Sequence, residues 1–137
     1  MLADVRFDAR DQVVVASVSG EVDLSNATQL CDAVGEATPN TALGVVLDLG
    51  GVDYLDSAGI HLIYRLRENL RARGQKLMLA IPAASPVQDS LRLAGVTQHL
   101  PIASSVHEAL AGFTEGEAAP GPLGASDRDA PQGEPAV

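Results

Sequence analysis

The sequence predicts one α/β domain built on a small mixed, mostly parallel sheet of about five strands packed with about four helices. Three observations carry that expectation. Near-continuous apolar runs recur at Val13–Val18, Leu43–Leu49 and Lys76–Ile81, as strands buried on both faces require. Between them lie stretches whose apolar residues fall three and four apart, the spacing of one helix face. Strands regularly separated by helices imply right-handed crossovers and therefore parallel neighbours.

The elements follow in order. Val5 and Phe7 alternate with Asp4, Arg6 and Asp8, the pattern of a half-buried edge strand. The connection Ala9–Gln12 is too short for a crossover, so the first two strands should be antiparallel. The β-branched run Val13–Val18 makes a central strand, ended by Gly20. Ala27, Leu30, Val34 and Ala37 form a helical stripe, with Ser25 or Asn26 as the cap and Thr28 or Gln29 three residues on. Pro39 and Asn40 close that helix.

Leu43–Leu49 is the next buried strand, followed by a turn at Gly50 and Gly51. Ile60, Ile63, Leu66 (or the alkyl stem of Arg67) and Leu70 mark a second helix that Gly74 terminates. Lys76–Ile81 is a further strand. Ser85 and Pro86 open a third helix striped by Val87, Leu91 and Ala94 and stopped by Gly95. A short strand at Leu100–Ala103 precedes a last helix capped by Ser104, with Val106, Ala109, Leu110 and Phe113 on one face.

Composition bounds the function. The 137 residues carry a formal charge of −9, which repels phosphate backbones and anionic lipid, so neither nucleic acid nor membrane is expected as a partner. Cys31 is the single cysteine, which excludes an intramolecular disulfide. The start MLADVRFD lacks the apolar run of a secretory signal, and the longest uncharged apolar stretch, Leu77–Ala84, is far below a membrane span. A cytoplasmic location follows as an expectation. Of the 23 residues Glu115–Val137, 13 are Gly, Pro or Ala, and the segment holds five acids against Arg128 alone. Residues 1–113 are therefore expected to fold and 114–137 to form a disordered acidic tail.

The segment with most chemical content is Tyr54-Leu55-Asp56-Ser57-Ala58-Gly59-Ile60, between a buried strand and a helix start, where ligands gather in such sheets. Ser57 falls at the N-cap or in the first turn, beside backbone N–H groups without intrahelical partners. Gly59 removes a side chain there and permits close approach. The bland alternative is plain helix capping by Asp56 or Ser57, with Gly59 serving only helix–strand packing. Catalytic readings fail: Ser57 and His61 share a helix face, but Leu55 stands where a nucleophile elbow needs glycine. His61, His99 and His107 show no metal spacing, no phosphate loop exists, and no cofactor is expected. Arg65, Arg67, Arg71 and Arg73 are spread around one helix as a solvated face.

Gly20-Glu21-Val22-Asp23 after a β-branched strand, and Asp56-Ser57-Ala58-Gly59-Ile60 after a buried one, together resemble the paired motifs of the STAS domain family, specifically the bacterial anti-sigma factor antagonists. The resemblance spans roughly residues 3 to 113. Ala58 departs from it, standing where Ser or Thr is common. The resemblance implies a partner-switching regulator rather than an enzyme. Its unphosphorylated form would bind an anti-sigma factor that is also a serine kinase with a GHKL-type fold, freeing a sigma factor. Phosphorylation at Ser57 would end binding, and a metal-dependent serine phosphatase would reset the switch. Asp23, Leu24 and Ser25 would share the partner surface with Asp56, Ser57, Ala58, Gly59 and Ile60. The competing reading is an unswitched interaction or ligand-sensing module of a larger signalling assembly.

Overall fold

A computed structural model describes residues 3–118, and side chains as far as Phe113. Five strands and four helices appear in the expected order. They are β1 (Asp4–Arg10), β2 (Val13–Val22), α1 (Ala27–Ala37), β3 (Gly44–Leu55), α2 (Ser57–Arg71), β4 (Lys76–Ala80), α3 (Pro86–Leu93), β5 (Ile102–Ala103) and α4 (Val106–Ala118). The sheet runs β1-β2-β3-β4-β5, with β1 antiparallel to β2 and every other pair parallel.

Strand alternation divides the core. Val14, Ala16, Val18, Val45, Leu47, Leu49, Leu77, Leu79 and Ile81 face α1, α2 and α3 and pack with Leu30, Val34, Leu62, Ile63, Leu66, Leu70, Val87 and Leu91. Val13, Val15, Val46, Ala80 and Ala103 face the other way, onto Ala109 and Phe113 of α4. Fully burying a large aliphatic side chain contributes about 1.5–3 kcal/mol, so the larger cluster dominates cohesion. Most positions of the helix stripes expected from spacing are buried, but Ala37, Ile60, Val106 and Leu110 are only half-buried, and Ala94, beyond the last turn of α3, is exposed.

Several expectations need correction. Gly20 does not end β2, nor do Gly50 and Gly51 turn the chain: β2 runs to Val22 and β3 to Leu55. Irregular register between Ser17 and Ser19 and between Gly20 and Glu21 carries the pair through, with Gly20 at φ +98°. A β-carbon on Gly51 would stand 3.0 Å from that of Ser19, so glycine permits the close pairing there. These glycines mark a bulged continuation, not a turn.

Capping also departs in places. Asn26 precedes α1 but gives it no side-chain cap; its Oδ1 accepts from Asp23 N–H and its Nδ2 donates to Glu21 C=O. At α4 the cap is Ser105, whose Oγ accepts from Glu108 N–H at 3.1 Å, while Glu108 Oε1 accepts from Ser104 N–H and Oγ. Those two bonds, the backbone one first, hold the Glu108 carboxyl below its ordinary pKa. Ser85 caps α3 as expected, accepting from Val87 N–H at 3.2 Å.

Arg73 is not part of a solvated face. It is half-buried and its guanidinium donates to Asn40 Oδ1 and to the carbonyls of Gly35 and Thr38, tying α1's C-terminal end to α2. Phe7 shares Val5's side of the sheet but is 41% exposed, because it stands on the outermost strand. Helix α4 carries on to Ala118, past the expected boundary at 113; the tail expected over 114–137 otherwise lies outside the described residues.

Candidate functional site

The register of β2 on β3 builds the site. Val22 lies opposite Leu55, so the segments leaving the two strands, Asp23–Asn26 and Asp56–Gly59, emerge side by side. Asp56 N–H donates to Val22 C=O at 3.3 Å and closes the junction. Both sequence motifs therefore meet at one edge of the domain.

Asp56 is the N-cap of α2. Its Oδ1 accepts from Ala58 N–H at 2.9 Å and from Gly59 N–H at 3.1 Å. Two N–H groups expected to be free are thus held by a carboxylate, which also complements the helix dipole. Ser57 is the first residue of α2 and is exposed, while Ala58 and Ile60 are half-buried.

Gly59 is buried, and the close approach it permits is internal. A β-carbon there would lie 2.4 Å from Leu55 Cδ1, 2.9 Å from Leu55 Cγ and 3.2 Å from Val22 Cγ1. Gly59→Ala should therefore push the Leu55 side chain aside and cost about 1–3 kcal/mol by overpacking. Chemical denaturation measures it, through a lowered midpoint at unchanged slope.

The neighbouring segment folds on itself. Ser25 donates to Asp23 Oδ1 from its N–H at 2.9 Å and from its Oγ at 2.5 Å. The side-chain bond first, then the backbone one, holds the Asp23 carboxyl below its ordinary pKa. Asp23 C=O accepts from Ala27 N–H at 2.9 Å. This turn sets Leu24 outward at 83% exposed, and Tyr54, opposite Glu21, stands 52% exposed.

The rim is acidic. Glu21, Asp23, Asp53 and Asp56 surround Ser57 in sequence and register, and no Lys or Arg occurs between Arg10 and Arg65. A groove of about 420 Å³ continues from this rim between α1 and α2. Leu24, Thr28 and Cys31 line it on one side and Ala58, His61, Tyr64 and Arg65 on the other. Of these, sequence reasoning singled out only Leu24 and Ala58 as site residues. The signal was present: Leu24, Thr28 and Cys31, and Ala58, His61 and Arg65, step three or four apart along the flank of each buried stripe. Burial raises the Cys31 thiol above its ordinary pKa, so it meets the groove as a small apolar group.

Among the described residues no helix is long and apolar enough to cross a membrane. Among them, too, no group of three or more His, Cys, Asp or Glu is placed to hold a metal ion.

Comparison with known proteins agrees with this architecture. The STAS domain family model matches residues 4–109. The anti-sigma-F factor antagonist RsfB of Mycobacterium tuberculosis is 30% identical over 105 residues, covering 76% of this chain and 84% of RsfB. The crystal structure of an anti-sigma factor antagonist from Mycobacterium paratuberculosis superposes with a TM-score of 0.73 at 24% identity, over 82% of this chain and 95% of that one. The Bacillus cell fate determinant SpoIIAA, solved in its phosphorylated form, superposes with a TM-score of 0.59 at 18% identity, over 80% of this chain and 98% of that one.

Proposed function

This chain belongs to the STAS domain family, among the anti-sigma factor antagonists, and from that premise we propose that it is a phosphorylation-gated docking module with Ser57 as the gate. Unmodified, it binds an anti-sigma factor that is also a GHKL-type serine kinase, and the bound sigma factor is released. Phosphorylated, it leaves that partner until a metal-dependent serine phosphatase restores it. The exchange takes place in the cytoplasm, and the chain is the substrate rather than the enzyme.

The observation that carries this reading is the exposed Ser57 at the first position of α2, set in an acidic rim. A phosphoryl group there adds about −1.5 to −2 charges at neutral pH. Asp56 already takes the Ala58 and Gly59 N–H groups, so the phosphate stays at the rim instead of sinking into the helix end. Fold and cap stay as they are. What changes is the surface a partner meets: charge of the same sign as Asp23, Asp53 and Asp56 raises both repulsion and desolvation cost. Leu24 and Tyr54 supply the apolar contact beside the gate, together with Ala58 and Ile60, Ser25 adds a polar position held by Asp23, and Gly59 acts from beneath by letting α2 sit close to Leu55. SpoIIAA, a structural neighbour solved phosphorylated, supports a modification compatible with this fold.

Incubation with the host's anti-sigma kinases and ATP, followed by mass spectrometry, tests the assignment. One phosphoryl group is expected, on Ser57, and none on Ser57→Ala. Labelling at another residue, or none with any kinase, removes the proposal.

The groove between α1 and α2 favours a second reading, an unswitched module that holds a small ligand. Native mass spectrometry distinguishes it by a bound mass that persists without any kinase.

A further inference from the structure

We propose that the free edge of β1 pairs with the same edge of a second copy, giving an antiparallel dimer with one continuous sheet. The order of side chains along the strand carries this. Strand β1 (Asp4–Arg10) lies at the edge of the sheet, and all its residues except half-buried Val5 are exposed. It reads Asp4-Val5-Arg6-Phe7-Asp8-Ala9-Arg10, in which positions mirrored about Phe7 carry opposite charge. A two-fold axis through Phe7 sets Asp4 opposite Arg10 of the second copy and Arg6 opposite Asp8, each twice. Every charged position meets its opposite.

The backbone agrees with that register. Asp11 and Gln12 both have positive φ, 52° and 70°, the two-residue turn that joins Arg10 to Val13. Such a turn closes on a hydrogen-bonded pair, and bonding alternates from there, so Asp8, Arg6 and Asp4 point their N–H and C=O groups at β2. Val5, Phe7 and Ala9 therefore aim theirs outward. About the Phe7 axis, Phe7 bonds to Phe7 and each Val5 to an Ala9. The charged residues then occupy the non-hydrogen-bonded positions, where side chains come closest.

Neighbouring registers are excluded by charge. Because the bonding alternates, slippage must go by two residues. One such shift puts Arg6 on Arg6 and Asp4 on Asp8; the other puts Asp8 on Asp8 and Arg6 on Arg10. Like charges directly opposite destabilise a pair. Charge on an edge strand ordinarily blocks edge-to-edge pairing, yet this row, whose signs invert across Phe7, does so in both adjacent registers and not in the central one, which alone pairs all four charged positions with opposites.

Two further features fit. Within one copy Arg10 bonds Asp8 at 2.7 Å, whereas Asp4 and Arg6 form no ion pair among the described residues. Phe7, 41% exposed on the helix-covered side of the sheet, would meet its counterpart across the axis. Strand β2 separates β1 from β3, which leads into Ser57, so the dimer leaves the docking rim open. An interface of one strand pair is small, and the association should be reversible.

Sedimentation equilibrium of the full chain, across concentration and salt, tests this. The wild type should approach twice the monomer mass as concentration rises and weaken as salt is added. Arg6→Asp and Asp8→Arg each place like charges opposite one another, and each should weaken self-association by about tenfold or more. Mixed in equal amounts the two variants should pair with each other and the dimer mass should return. The aspartate introduced in the first then faces the arginine introduced in the second, and the unchanged Asp8 of the first faces the unchanged Arg6 of the second. A wild type that stays monomeric at its solubility limit overturns the proposal. So does a dimer that neither variant weakens, which would place the contact on another surface, and so does a mixture that fails to recover.

Discussion

A methyl group placed at Gly44 should cost the domain on the order of 3 kcal/mol or more, beyond the usual range of single substitutions. Gly44 opens β3 opposite Lys76 of β4, on the side of the sheet that α4 covers. Its β-carbon would stand 2.1 Å from Lys76 C=O oxygen, 2.9 Å from Lys76 N and 2.7 Å from Phe113 Cε1. The first two are backbone atoms of the neighbouring strand and cannot rotate away. Either the β3–β4 ladder parts at its start or α4 lifts from the sheet, exposing Phe113, now 4% exposed. Denaturant titration of Gly44→Ala measures the loss. Combining it with Phe113→Leu separates the two clashes. Because the strand backbone is the closer obstacle, the double variant should recover only a minor part. Recovery to wild-type stability would mean that the ring was the obstacle.

Strand and helix identity was legible in this chain because apolar period and crossover logic agree at every element. Val45, Leu47 and Leu49 and the stripe Ile63-Leu66-Leu70 are the buried sets that spacing predicts. What spacing could not show was where a strand stops. Gly20, Gly50 and Gly51 look like turn residues, and only the pairing of β2 with β3 makes them a bulged continuation. That pairing is non-local, so no window of sequence contains it. The same holds for Arg73, whose carbonyl partners lie 35 and 38 residues away.

At the site, Ser57 and both motifs could be read from residue types, whereas the division of labour could not. The sequence leaves Ser57 at the N-cap or in the first turn, and only the placement of Asp56 Oδ1 on two N–H groups makes Asp56 the cap and Ser57 the first helical residue. Of the two readings open for Gly59, approach of another surface and packing of helix on strand, the second holds: it faces inward onto Leu55 and Val22. The groove between α1 and α2 was missed because Leu24, Thr28, His61 and Arg65, which open it to solvent, flank the buried stripes instead of joining them.

Phosphorylation of Ser57 should lower affinity for the anti-sigma factor by about a hundredfold, the second large effect expected here. Opposed like charges at an interface cost several kcal/mol, and a factor of a hundred needs about 2.7. The carboxylates of Asp23, Asp53 and Asp56 already set the sign of the rim, and no Lys or Arg from 11 to 64 offsets them. Ser57→Ala removes only a hydroxyl and should bind as the wild type does. Ser57→Asp carries one charge on a shorter arm and should fall in between. Added salt should narrow all these differences.

Titration calorimetry of the unmodified chain and the Ser57-phosphorylated chain against the purified anti-sigma factor, at low and high salt, is the decisive measurement. A large affinity loss on phosphorylation that shrinks with salt, with the thermal midpoint of the free domain unchanged, is the predicted result. Equal affinities for the two forms, or a loss that tracks unfolding of the free domain, would contradict a charge gate at the start of α2.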